Sequence, residues 1–429
     1  MKLLHCLLPL PLTVVVSLLL SEVGGVHARA ADADPVASFA EFDRRARSGD
    51  SLDVVFFGAS LTWGANASDP LRTSYRAEVG RRLEREYPQA HFHFHDGAIG
   101  GTGSQLGAFR LDRDVLTHQP DLVFLDFSAN DDITSDRPET LASYEAILRR
   151  LISEACCPVV QVIFPFKWNV AAGSTAGMKR RDAHLALAKA YGSGVGDAIA
   201  LAIRRVASGE TGLEQLWPVD GVHPCDEGYQ LFADAAWSGF QAAVKERRVC
   251  RSPSAMLHAD TYMHAVRQPL FAHQPLPAGW RSGRPNLTSA FFDFLMSRWL
   301  DGEAIATRPA AEPGAEPPPQ PARLGVSFTG RMALLFGETT KASGSFRVWI
   351  DGTAVEHMPP GSKESTDLFD AGAFASRIGG NGHYVQVLAT DLDETTDHLL
   401  EIEPVLEPGQ ELRLESLCVA GPGAAVRWP

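Results

Sequence analysis

The sequence predicts a parallel α/β domain at residues 31–250 and a small antiparallel β-sandwich, or jelly roll, at residues 324–429, joined by a connecting region at 251–323. Three observations carry this. Residues 50–250 alternate short apolar runs with amphipathic stretches, the pattern of strands joined by crossover helices. Pro309 to Pro321 is dense in Pro, Ala and Glu, the composition of a stiff linker or surface loop. From Leu324 the pattern changes to short strands, several closed by turn signals such as Asp351-Gly352 and Pro408-Gly409.

The elements follow in chain order. Met1-Lys2 gives a short basic start, an apolar stretch runs from about Leu3 to Leu20, and Ala28-Arg29-Ala30 offers a small-x-small cleavage site. This predicts a secretory signal peptide over 1–30 and a secreted or periplasmic protein. Strands are expected at Asp53–Phe57, Phe92–His95, Leu122–Phe127, Val159–Phe164 and Val195–Asp197. Helices are expected at Arg76–Tyr87, Leu111–Thr117, Thr140–Ala155, Arg181–Tyr191, Ala198–Val206 and Glu227–Glu246. Tyr262 to Trp280 shows no clear period, whereas Asn286 to Leu300 has helical spacing of aromatics and a cap at Asn286 or Thr288. Later strands are expected at Gly325–Phe328, Met332–Phe336, Ser345–Ile350, Tyr384–Leu388, His398–Pro404 and Glu411–Val419.

Composition excludes several classes. With 45% hydrophobic and 21% charged residues, the 429-residue chain is not disordered. The net charge of −13 and the lack of a basic block argue against a nucleic-acid partner. No stretch after the first thirty residues reaches membrane-spanning length.

Five cysteines follow the leader: Cys156, Cys157, Cys225, Cys250 and Cys418. The number is odd, so at least one is free or intermolecular. Cys225 and Cys250 would bracket the last helix as a disulfide, and buried thiols are the equal alternative. Asn66-Ala67-Ser68 and Asn286-Leu287-Thr288 are glycosylation sequons. His91, His93 and His95 would share one face of a strand, packing or hydrogen-bonding there rather than holding a metal.

Three stretches carry chemistry. Gly58-Ala59-Ser60-Leu61-Thr62 follows one apolar run, Ser128-Ala129-Asn130-Asp131 follows another, and Asp220-Gly221-Val222-His223-Pro224 comes last. A serine hydroxyl is a weak nucleophile and needs an adjacent base. His223 can take its proton and return it to a leaving alcohol. Asp220, three residues earlier, could reach the ring through one tight turn and hold its tautomer. A tetrahedral intermediate also needs oxyanion donors. Asn130 has a side-chain amide, and the glycine-rich loop from Asp96 to Ser104 has backbone N–H groups that can approach a ligand closely.

On these residues, positions 50–248 resemble the SGNH hydrolases, the GDSL lipase/acylhydrolase superfamily. Gly58-Ala59-Ser60-Leu61 matches the family's Gly-Asp-Ser-Leu block, Asp96 to Ser104 its second, Ser128 to Asp131 its Gly-x-Asn-Asp block, and Asp220 to Pro224 its Asp-x-x-His-Pro block. Ala59, Asp96 and Ser128 depart from the usual Asp, Asn and Gly. The resemblance implies a flavodoxin-like three-layer α/β/α fold. It also implies a Ser60–His223–Asp220 triad, an oxyanion hole of Ser60, Gly101 and Asn130, and no cofactor or metal. The C-terminal region, through Arg347-Val348-Trp349-Ile350-Asp351-Gly352, more faintly resembles the galactose-binding-like sandwiches of carbohydrate esterases.

The expected function is a secreted serine esterase that removes small acyl groups, acetyl above all, from a carbohydrate or glycoside. Trp63 and Trp217 flank the blocks and are candidate sugar-stacking residues. The alternatives are a lipid-directed esterase, an inactive carbohydrate-binding protein, and acyl transfer to a second sugar.

Overall fold

The computed structural model describes residues 36–289 and 298–428. The expected signal peptide and most of the expected helix at Asn286–Leu300 lie outside them.

Five parallel strands form the first sheet: β1 (Ser51–Gly58), β2 (His91–Ala98), β3 (Leu122–Leu125), β4 (Val159–Ile163) and β5 (Gly194–Asp197). Their order is β2-β1-β3-β4-β5, the flavodoxin-like winding, which reverses direction at β1 and β3. β3 and β4 are buried at every residue, which is why they read as unbroken apolar runs. β2 lies at the edge and alternates as His91-Phe92-His93-Phe94-His95. Its histidines find a carboxylate on the neighbouring strand: Asp53 lies 2.6 Å from His95 and 3.6 Å from His93. Among the described residues no group of three or more His, Cys, Asp or Glu is placed to hold a metal ion.

Two of the longer helices depart from expectation. Phe39–Ser48 was not expected; Ser38 caps it, and Phe39, Phe42 and Ala46 bury one face. The helix expected at Leu111–Thr117 instead spans Ser104–Asp114, followed by a short 3-10 turn at Leu116–His118. Gly107 hides this helix from a propensity reading, since glycine costs about 1 kcal/mol inside a helix. Packing requires it, because a Cβ there would lie 2.8 Å from the Phe127 ring.

Twelve further strands follow: β6 (Ala265–Pro269), β7 (Trp280–Gly283), β8 (Glu303–Thr307), β9 (Leu324–Thr329), β10 (Met332–Thr339), β11 (Ser345–Ile350), β12 (Thr353–Ala354), β13 (Leu368–Asp370), β14 (Gly382–Ala389), β15 (Asp397–Val405), β16 (Glu411–Ala420) and β17 (Ala425–Arg427). They form two six-stranded antiparallel sheets. The inner sheet runs β14-β10-β16-β8-β7, with β6 also on β16; the outer runs β12-β11-β15-β9-β17, with β13 on β11. The stretch 251–323, expected as connecting chain, thus supplies three strands of the inner sheet. β6 and β8 pair with β16, more than a hundred residues away, and β7 pairs with β8, so no tight hairpin announced them.

β10 is buried on both faces. Ala333 and Leu335 join the core between the two sheets, whereas Met332, Leu334 and Phe336 join the core of the α/β region. Polar contacts reinforce this junction. Gln105 donates to the Tyr262 hydroxyl at 2.8 Å, and Arg113 pairs with Asp301 at 2.9 Å.

The five described cysteines are unpaired. A Cys225–Cys250 bridge, one of the two readings left open by the sequence, is ruled out by geometry. The two flank the helix Asp226–Lys245. A helix of that length spans about 30 Å, and a disulfide needs Cα atoms within about 7 Å. Among the described residues no helix is long and apolar enough to cross a membrane.

Candidate active site

The sequence blocks converge beyond the carboxyl ends of β1 to β3, where the winding reverses and such sheets bind ligands. Ser60 opens the short helix Ser60–Trp63 directly after β1 and is 3% exposed. Gly64 ends that helix at φ +101°, a conformation that favours glycine. His223 Nε2 lies 3.1 Å from Ser60 Oγ, and His223 Nδ1 lies 3.3 Å from Asp220 Oδ2. Asp220 Oδ1 accepts from the N–H of Val222 at 2.7 Å and of His223 at 2.6 Å, which closes the tight turn.

Electrostatics suit a base oriented by an anion. Burial holds the His223 pKa below its usual 6.5, against the pull of Asp220, so the ring is neutral at pH 7. Burial alone would raise Asp220. The N–H groups of His223 and Val222, the Asn66 amide and the His223 ring outweigh it and hold the carboxyl below its usual value.

The loops carrying Gly101 and Asn130 are joined by a buried carboxylate. Asp131 Oδ1 accepts from Ser104 N at 2.9 Å, and Arg180 approaches its other oxygen at 3.9 Å. Burial pushes the Asp131 carboxyl up to about 6. Asp131 thus ties loop to loop rather than facing solvent. Gly101 has φ +73°. Among the described residues, neither its N–H nor that of Ser60 is used in a backbone hydrogen bond.

Residues 56–231 match the GDSL-like Lipase/Acylhydrolase family. This segment is a GDSL-like lipase/acylhydrolase domain. The family is one of carboxylic ester hydrolases. Among solved structures, a two-domain esterase active on acetylated mannans, crystallised with mannopentaose, superposes with a TM-score of 0.69. It shares 20% identity over 89% of this chain and 94% of its own. A second crystal structure of such an esterase gives 0.67 at 19% identity, with the same coverage. At these identities the likeness is one of fold, and it spans the α/β region and the sandwich together. No curated protein matches the chain.

The GDSL-like domain accommodates its three departures locally. Ala59 is fully buried, where an Asp would need a partner. Asp96 pairs with Arg76 and Arg298, each at 3.2 Å. Ser128 accepts from Phe164 N at 2.9 Å and donates to Asp126 at 3.1 Å, so its hydroxyl fastens the end of β3 to that of β4. Burial pushes Asp126 up to about 7. Its other oxygen lies 3.4 Å from Thr62 Oγ1, linking the nucleophile turn to the Asn130 loop.

One expectation fails. Trp217 is 1% exposed and packs edge-on to Phe232, so it offers no face to a sugar. Trp63 is partly buried against the same core. The expectation rested on position beside a motif, which does not reveal which way a ring points.

Sequence reasoning noted Asn66 only as a sequon. Its side-chain amide donates to Asp220 Oδ2 at 2.8 Å. Neighbouring bonds reinforce this staple. Thr73 Oγ1 and Ser68 N each donate to Asp226 at 2.8 Å, and Tyr229 donates to Ala65 O at 2.7 Å. Together they hold the Ser60 loop against the His223 loop across a long chain separation. Asn66 sits in the left-handed region at φ +67°, which Asn tolerates better than most residues, but nothing in the sequence pointed to its bond with Asp220.

Proposed function

We propose that the protein hydrolyses small acyl esters, acetyl foremost, of a carbohydrate, with Ser60 as nucleophile, His223 as base and Asp220 as its orienting carboxylate. The observation that carries this is the relay from Ser60 Oγ through His223 to Asp220. Ser60 Oγ attacks the ester carbonyl as His223 Nε2 takes its proton. The oxyanion is held by Ser60 N–H, Gly101 N–H and the Asn130 amide, each donor contributing about 3–4 kcal/mol. His223 then gives its proton to the leaving alkoxide, and the acyl group stays on Ser60. Water, deprotonated by His223, attacks this acyl-enzyme and releases the acid and Ser60. No step needs a cofactor.

The carbohydrate substrate is supported by the likeness of the whole two-part fold to an esterase active on acetylated mannans. We further propose that residues 1–30 are an export signal, which would place the enzyme where polysaccharides are met.

The test is hydrolysis of acetylated manno-oligosaccharide and of p-nitrophenyl esters from acetate to decanoate, with Ser60→Ala as control. Release of acetate that depends on Ser60, with acetate preferred over longer acyl chains, supports the reading. A preference for long chains would move it to a lipid, and turnover surviving Ser60→Ala would remove the proposed nucleophile.

A further inference from the structure

We infer that Trp168 is the platform for the alcohol part of the substrate, stacking on the pyranose ring whose ester is cleaved; this rests on the esterase reading of the Ser60 site. Trp168 lies in the short helix Lys167–Ala171, beyond the carboxyl end of β4, and is 55% exposed. Most tryptophans bury their large apolar area, so a half-exposed indole beside a reactive centre calls for a partner. A Cβ on Gly221 would meet the indole at 3.1 Å, so the ring rests directly on the turn between Asp220 and His223.

The platform is held firmly before any ligand arrives. Lys167 N donates to Gly221 O at 2.8 Å, and Phe166 N to Asn169 Oδ1 at 2.8 Å. The Lys167 ammonium pairs with Glu214 at 2.6 Å. The Phe166 ring lies 4.7 Å from the indole and backs it. Val219, the residue before Asp220, is 76% exposed and adds apolar surface next to the same turn in the chain.

The mechanism assigns the side of the ester that this surface meets. His223 must deliver its proton to the leaving oxygen, so the alcohol lies on the His223 side of Ser60. Trp168 packs on the turn that carries His223, so it faces the alcohol rather than the acyl chain. A flat aromatic face at that position suits a pyranose, whose C–H groups present an apolar face while its hydroxyls stay in water.

The experiment compares kcat/KM for acetylated manno-oligosaccharide with that for ethyl acetate, whose alcohol is too small to reach the indole. Trp168→Ala should lower the ratio about five- to tenfold, mainly through KM on the oligosaccharide. Trp168→Phe, which keeps a ring, should restore most of it. Thermal unfolding of each variant checks the fold. An unchanged ratio in Trp168→Ala overturns the inference and leaves the esterase reading intact. So does a change confined to acyl-chain preference, measured with ethyl butyrate against ethyl acetate. Failure of the unmodified protein to cleave any of these esters overturns both.

Discussion

The parallel sheet and the outer sheet of the sandwich bury their residues in opposite ways. β3 and β4 are buried at every position, while β9 and β11 alternate strictly between buried and half-buried. The first pattern belongs to a layer covered on both sides, the second to a sheet with one face in water. The inner sheet breaks the expected division, because β10, although antiparallel, is buried throughout like a strand of the catalytic sheet. The inner sheet of the sandwich is therefore built against the α/β region. The helix that follows the Gly101 loop packs at this junction, through Gln105 and Phe109 on Tyr262. The sandwich thereby buttresses one wall of the site.

Substitutions can break this contrast. Leu334→Ala removes a fully buried side chain between the two regions. It should cost about 2–5 kcal/mol, with both regions melting in one calorimetric transition. Two separate transitions in the unmodified protein would show that the regions are independent. Next in size is the staple between the Ser60 and His223 loops. Asn66→Ala removes a hydrogen bond to a carboxylate, which is worth about 1.5–3 kcal/mol. It should lower kcat about tenfold or more, with a smaller effect on KM. A change in KM alone would place Asn66 in binding instead.

A third prediction concerns pH. In the proposed mechanism His223 acts as a neutral ring, and burial holds its pKa below 6.5. Activity should therefore rise with pH along a limb centred below 6.5. A limb centred above 6.5 would mean that Asp220, rather than burial, governs the ring. The smallest effect belongs to the outer face. Leu399→Ala, at a side chain 41% exposed, should change stability by less than about 0.5 kcal/mol.

Legibility in the sequence followed the same contrast. The catalytic strands were readable because two-sided burial leaves unbroken apolar runs, and the blocks were readable because chemistry restricts residue type. β6, β7 and β8 were not, since β16, the partner of β6 and β8, is distant, and β7 (Trp-Arg-Ser-Gly), which pairs with β8, shows no period. The helix Ser104–Asp114 was half hidden by Gly107, whose reason lies in the Phe127 ring across the core. In the site, the spacing of Asp220 and His223 was legible. The direction of Trp217, the bond from Asn66 and the exposure of Trp168 were not, because each depends on a turn packing against residues remote in sequence.

The measurement that bears most directly on the central claim is active-site labelling with a fluorophosphonate, followed by peptide mass spectrometry. One adduct is expected, on Ser60, formed in step with loss of ester hydrolysis and absent in Ser60→Ala. An adduct on another residue, or full labelling with activity retained, would contradict it.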